Sequence, residues 1–200
     1  MQQRGVGMIE VLVTLFILSV GLLGVASLQF VGSFSNADAL NRSQSVMIAQ
    51  QFSERLRANA AMSQVGDGLV VDDDYFDQDL YNFENLNCVG GGQPYPCFCL
   101  AHPAGVPDCQ NNNCSASEIA AYDAYEVSCS AVATNPNVQV SLSCDDNDNG
   151  DTDACSTGSR HTIMLRWPVQ SWQNLDRVLN PVCNQGVADP HDCVTLEVTL

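Results

Sequence analysis

Gly5-Val6-Gly7-Met8-Ile9-Glu10-Val11-Leu12-Val13-Thr14-Leu15-Phe16-Ile17-Leu18-Ser19-Val20 opens an apolar run that decides how the chain is organised. From Val6 to Phe30 the only charged residue is Glu10, and the run of 25 residues reaches roughly 37 Å as a helix, enough to cross a bilayer. A carboxylate inside such a segment costs about 2.5–3.5 kcal/mol on insertion scales and by default marks function. Arg4 lies on the short N-terminal flank and no further basic residue occurs before Arg42, so the positive-inside rule places the N-terminus in the cytoplasm and the bulk of the chain outside. A cleaved secretory signal fits less well: the apolar run is long, and Ala26-Ser27-Leu28, its nearest approach to a cleavage site, lacks the final small residue.

The segment Gly5-Val6-Gly7-Met8-Ile9-Glu10-Val11-Leu12 resembles the class III signal of type IV pilins and type II secretion pseudopilins. That resemblance implies cleavage by prepilin peptidase after Gly5, N-methylation of Val6, and an assembly role for Glu10 at the fifth mature position. Four further stretches are similar to the PilV family of minor pilins, the type IV pilus modification proteins. They are Gly21-Leu22-Leu23-Gly24 with Ala49–Asn59, Cys114–Asp123, and His161–Trp167.

The signature also makes sense physically. Cleavage would leave a positive amine on Val6 close to the negative Glu10, both in hydrocarbon. An isolated charge there is costly, so the two groups favour neutralisation, within one chain or between helices staggered by about one turn.

The helix is expected to continue to Met62, because no Pro occurs before Pro94. Phe30, Phe34, Ala37, Leu40, Met47, Phe52, Leu56 and Ala60 recur at mostly three- or four-residue steps, an apolar stripe expected to lie buried under a head domain. The resulting division is a leader at 1–5, a membrane or filament-core half-helix at 6–30, an amphipathic half-helix at 31–62, and an extracytoplasmic head at 63–200.

The head holds all ten Cys, all eight Pro and most of the acidic residues. Seven basic against 23 acidic residues give a net charge of −16, which argues against nucleic acid as a direct partner. Ten cysteines in an exported domain imply up to five disulfides. Cys144–Cys155 would staple an Asp/Asn-rich loop, and Cys183–Cys193 would close a loop near the C-terminus. Zinc is the competing use for Cys97, Cys99, Cys109, Cys114 and His102, but no paired C-x-x-C knuckle occurs among them.

Ser115-x-x-Glu118 is a capping box opening a helix over about 116–127. Alternation at Val138/Val140/Leu142, Ile163/Leu165/Trp167 and Val194/Leu196/Val198/Leu200 predicts three strands. The turn signals Asn135-Pro136, Asp148-Asn149-Gly150 and Pro181 fall between them. The expected fold class is α+β and type IV pilin-like: a long N-terminal helical spine on a small antiparallel sheet, with disulfide-rich loops. Residues 66–114 read as an irregular insertion pinned by disulfides.

Asp145-Asp146-Asn147-Asp148-Asn149-Gly150-Asp151-Thr152-Asp153 follows D-x-[DN]-x-[DN]-G-x-x-D, the spacing that wraps oxygen ligands around Ca²⁺. Asp145, Asn147, Asn149, the Asp151 carbonyl and Asp153 are the candidate ligands. Ser156 stands where an EF-hand has its bidentate Glu, and an Asp/Asn turn between strands is the competing reading. No nucleophile elbow, P-loop or H-E-x-x-H motif is present, and His102, His161 and His191 are scattered, so the sequence reads as a structural protein rather than an enzyme.

The resemblance implies a minor pilin taking part in type IV pilus assembly or initiation. Its implied partners are minor and major pilins, prepilin peptidase, the pilus assembly platform and the inner membrane. It would be held there by a single pass before it reaches the pilus or cell surface. A type II secretion pseudopilin is the nearest alternative, and a signal-anchored extracytoplasmic binding protein or enzyme is the alternative from another class.

Overall fold

In the computed structural model, residues 7–63, 66, 68–148, 150, 153–169 and 179–200 are described. A single helix, α1, runs from Met8 to Asn59. By internal contacts the chain divides into Met1–Leu40 and Asn41–Leu200. The first unit is helical throughout its described residues after Gly7, and its apolar side chains stand exposed all round, as a membrane-spanning helix requires.

The second unit is the head. Within it, α1 buries Ser45, Ile48, Ala49, Phe52, Ser53 and Leu56, a stripe at three- and four-residue steps. This corrects the expected stripe: Phe30, Leu40 and Met47 are all exposed, and within the head Ser45, Ile48, Ala49 and Ser53 join Phe52 and Leu56 on the buried face. The helix also stops three residues earlier than expected, because Ala61–Met62 (β1) pairs antiparallel with Leu69–Val70 (β2).

The Asp-rich stretch at Asp72, Asp73, Asp74, Asp77 and Asp79 then forms two 3₁₀ turns, Asp73–Phe76 and Gln78–Leu80, each capped by an Asp side chain, Asp72 and Asp77 respectively. Aspartate at an N-cap accepts an otherwise orphaned backbone N–H, so part of this stretch is structural and not only solvated charge. A short helical turn, Tyr95–Cys99, follows, held by Cys88–Cys97 and Cys99–Cys129. The insertion is therefore more ordered than its composition suggests.

Helix α2 spans Ala116–Thr134, opening on the reciprocal Ser115/Glu118 capping box. It extends a further seven residues beyond the expected limit of 127, as Ser128 and Ser130 bond back to the Ala124 and Glu126 carbonyls and Ala131 and Val132 continue the buried face. It ends at Asn135, before Pro136, where the helical conformation is disfavoured. Strands β3 (Gln139–Asp145), β4 (Arg160–Pro168) and β5 (His191–Thr199) form one antiparallel sheet in the order β3-β4-β5. In register, Val140 faces Leu165, Leu142 faces Ile163, and Ile163 and Leu165 face Leu196 and Val194. These alternate residues join the α1 stripe, Ala120, Ala124, Val127 and Tyr75 in one core. A long N-terminal helix packed on a small antiparallel sheet, with several disulfides, is the type IV pilin-like α+β fold.

Candidate functional site

The N-terminal segment begins with Gly7, whose carbonyl accepts from the Glu10 N–H at 2.9 Å and the Val11 N–H at 3.3 Å. Glu10 therefore sits in the first turn of α1, where a negative charge complements the positive end of the helix dipole. The polar side chains that follow are satisfied locally: the Thr14 and Ser19 hydroxyls donate to the Val11 and Phe16 carbonyls at 2.9 and 2.7 Å. In hydrocarbon this matters, because an unsatisfied polar group there costs several kcal/mol. Glu10 alone offers a charge between Gly7 and Val31, amid exposed Met8, Ile9, Leu12 and Phe16. The helix is long and apolar enough to cross a membrane. Gly5 and Val6, the expected processing pair, lie outside the described residues.

Residues 1–26 match the prokaryotic N-terminal methylation motif. That motif is the mark of prepilin-like proteins, the class that includes type IV pilins and pseudopilins, and with it come processing by prepilin peptidase and assembly with other pilins. No curated protein and no solved structure matches the chain. Within the head, Ala49–Asn59 forms the end of α1, Cys114–Asp123 opens α2, and His161–Trp167 lies in β4.

The Asp/Asn loop is tightly bonded to itself. Asp145 pairs with Arg160 rather than facing inward. Asp146, not among the expected ligands, is the organising carboxylate: its Oδ1 accepts from the Ser156 N–H at 2.9 Å and the Ser159 hydroxyl at 3.0 Å. The Ser156 backbone bond, aided by Ser156 and Ser159 side chains, lowers its pKa to about 2. Asn147 donates its amide to the Thr157 carbonyl at 3.0 Å, and the Ser156 hydroxyl lies 3.4 Å from an Asp153 carboxylate oxygen. Asn149 and Asp151 lie outside the described residues. The loop thus spends much of its oxygen chemistry on its own backbone. It also lies against the other acidic stretch, as the Ala154 N–H donates to Asp73 at 3.0 Å.

Cys144 bonds to Cys155 at the base of this loop, and Cys183 bonds to Cys193 beside β5. Cys109 bonds to Cys114. With Cys97 and Cys99 also in disulfides, the thiolates that zinc would need are not available at that cluster, and His102 instead stacks against Tyr122 and lies beside Tyr125.

Two features escaped the sequence. Asp123, 3% exposed on α2, accepts from Arg55 at 2.6 Å, Asn59 at 2.7 Å and the Tyr75 hydroxyl at 2.7 Å, tying α1, α2 and the first 3₁₀ turn together. Burial, then the bond to Asp123, pushes the Tyr75 phenol up, so it stays a donor. The signal was a lone carboxylate in the Ala-rich run Ala120-Ala121-Tyr122-Asp123-Ala124. Second, Arg42 pairs with Asp192 and lies 5.9 Å over the Trp167 ring, a contact between positions 150 residues apart that no local pattern announces.

Proposed function

We propose that the chain is a minor pilin of the PilV type, processed after Gly5, N-methylated on Val6, and assembled into or priming a type IV pilus. The single observation that supports this most is the methylation motif at 1–26 carried on a helix whose only membrane-depth charge is Glu10. In this reading the Val6 amine of one subunit meets Glu10 of a neighbour, each removing the other's desolvation cost. The disulfide-bonded head then faces outward, where oxidising conditions maintain five cross-links. The PilV-like stretches within the head favour the pilus over a type II secretion filament. The role is structural, since the motif is one of assembly rather than catalysis.

The test is to map the mature N-terminus by intact mass and peptide sequencing in cells with and without prepilin peptidase. Sheared surface pili are then probed for the chain and for its Glu10→Ala variant. A mature N-methyl-Val6, with wild-type but not Glu10→Ala chain in the pili, is the expected result. An intact Met1 or cleavage near Ser27 defeats the reading, and a correctly processed chain absent from surface pili points to the secretion filament.

A further inference from the structure

The two edges of the head sheet are treated differently. On β3 the middle of the outward main chain is covered by side-chain amides: Asn82 accepts from the Val140 N–H and donates to the Val140 carbonyl, both at 2.8 Å, and Gln78 donates to the Leu142 carbonyl at 2.7 Å. Capping an edge in this way denies it to other strands. Because Val140 and Leu142 face out, antiparallel alternation assigns Thr162, Met164 and Arg166 of β4 to β3, and His161, Ile163 and Leu165 to β5. On β5 the outward main chain therefore belongs to His191, Cys193, Thr195, Glu197 and Thr199.

The first of these is closed as Val140 is: Asn184 accepts from the His191 N–H at 2.8 Å and donates to its carbonyl at 3.0 Å. The Cys193 N–H bonds to Asp192 at 3.0 Å. Beyond that point the guarding stops. Among the described residues, no hydrogen bond reaches the outward main chain of Thr195, Glu197 or Thr199. Three consecutive rungs, six hydrogen-bonding groups, stand open. Alongside them runs a groove of about 560 Å³ between α1 and β5, lined by Met47, Glu54, Arg57, Leu196, Glu197 and Val198 among others.

We propose that this edge docks an extended strand of a second, less acidic polypeptide, which adds to the sheet beside β5. Main-chain pairing at Thr195, Glu197 and Thr199 would hold it, and its inward side chains would enter the groove beside Met47 and Leu196. Charge selects the occupant. Arg57 is matched by Glu54 at 2.9 Å and Arg160 is shared between Asp145 and Glu197, so these five side chains leave one negative charge over, which suits Lys or Arg on the incoming strand. A second copy is disfavoured, because each chain carries −16 and two β5 edges would bring their Glu197 side chains together. The inference stands on the head alone and does not depend on the pilus reading.

The experiment uses the full chain in detergent micelles and a nine-residue alternating Lys/Val/Thr peptide. Controls are the same peptide with Glu for Lys, and one N-methylated along its pairing edge. Anisotropy should show saturable binding of the Lys peptide, and hydrogen exchange should slow at the Thr195, Glu197 and Thr199 amides. Each control should bind about tenfold or more weakly, the order expected from losing main-chain bonds or reversing charge. Thr195→Pro removes one outward donor without touching the β4 ladder, so it should melt normally yet bind about tenfold less. The N-methylated peptide gives the same information should that variant fail to fold. Absent binding, binding without protection at those three amides, or equal binding of the N-methylated peptide would overturn the proposal. Protection of the same amides through concentration-dependent dimerisation would overturn the choice of partner.

Discussion

Replacing Asp123 on α2 with Ala removes one acceptor that serves three donors, two on α1 and one on the first 3₁₀ turn. The Tyr75 hydroxyl is the most exposed to loss: Tyr75 is 1% exposed, so its O–H becomes a buried unsatisfied group costing about 1–3 kcal/mol. The Asn59 amide loses its carboxylate partner and adds about 1 kcal/mol. Arg55 contributes less than a buried ion would, because 42% of its side chain meets water and can rehydrate. Ala gains back roughly 0.5 kcal/mol in helix propensity, leaving a net loss of about 2–4 kcal/mol. For a head of this size that corresponds to a fall in Tm of roughly 6–10 °C. The assay is thermal unfolding of the full chain in micelles, followed by near-UV circular dichroism, with exposed Glu54→Ala as the reference. Tyr75→Phe should cost only about 1 kcal/mol, since Asp123 keeps Arg55 and Asn59. An Asp123→Ala melt within about 2 °C of the Glu54→Ala reference would refute the idea that this carboxylate joins the three elements.

Asn82 supports both a positive φ of 54° and the Val140 edge, so Asn82→Ala should cost about 2–4 kcal/mol while Asn82→Gly, which relaxes the backbone, should cost about 1 kcal/mol less in urea unfolding. His161 is 2% exposed, and burial, partly opposed by the Ser159 and Val198 backbone, holds its pKa below the ordinary value of 6.5. The unfolded chain then binds the extra proton, so head stability should fall as pH drops below about 6.5, and His161→Phe should flatten that slope. The depressed Asp146 carboxyl contributes stability that is present above its unfolded pKa and lost as pH falls from about 4 toward 2, so Asp146→Asn should lower Tm at neutral pH but leave it nearly unchanged near pH 2. Calorimetry with millimolar Ca²⁺ should show no saturable heat and no rise in Tm over chelator, because Asp145 and Asp146 are already bonded to Arg160, Ser156 and Ser159; a saturable heat would support the cation reading of the loop.

What the sequence determined by itself is what short-range periodicity and local chemistry can carry. An apolar run with one carboxylate declares a helix long and apolar enough to cross a membrane, whatever lies downstream. Ser115 and Glu118 declare a helix start because the capping bonds close within one turn. Alternation in β3, β4 and β5 marks strands because one face of each must be buried. Tertiary structure alone decided which face of α1 is buried in the head, Ser45, Ile48 and Ala49 rather than Met47, because burial depends on which side chains of distant elements join the same core. It also decided that Asp123 gathers partners from positions 55, 59 and 75, and that Asp146 rather than Asp145 organises its loop. The difference between the two sheet edges belongs to the same class. Asn82, Gln78 and Asn184 are ordinary polar residues in sequence, and they become guards only where the chain returns them to a strand's open hydrogen bonds.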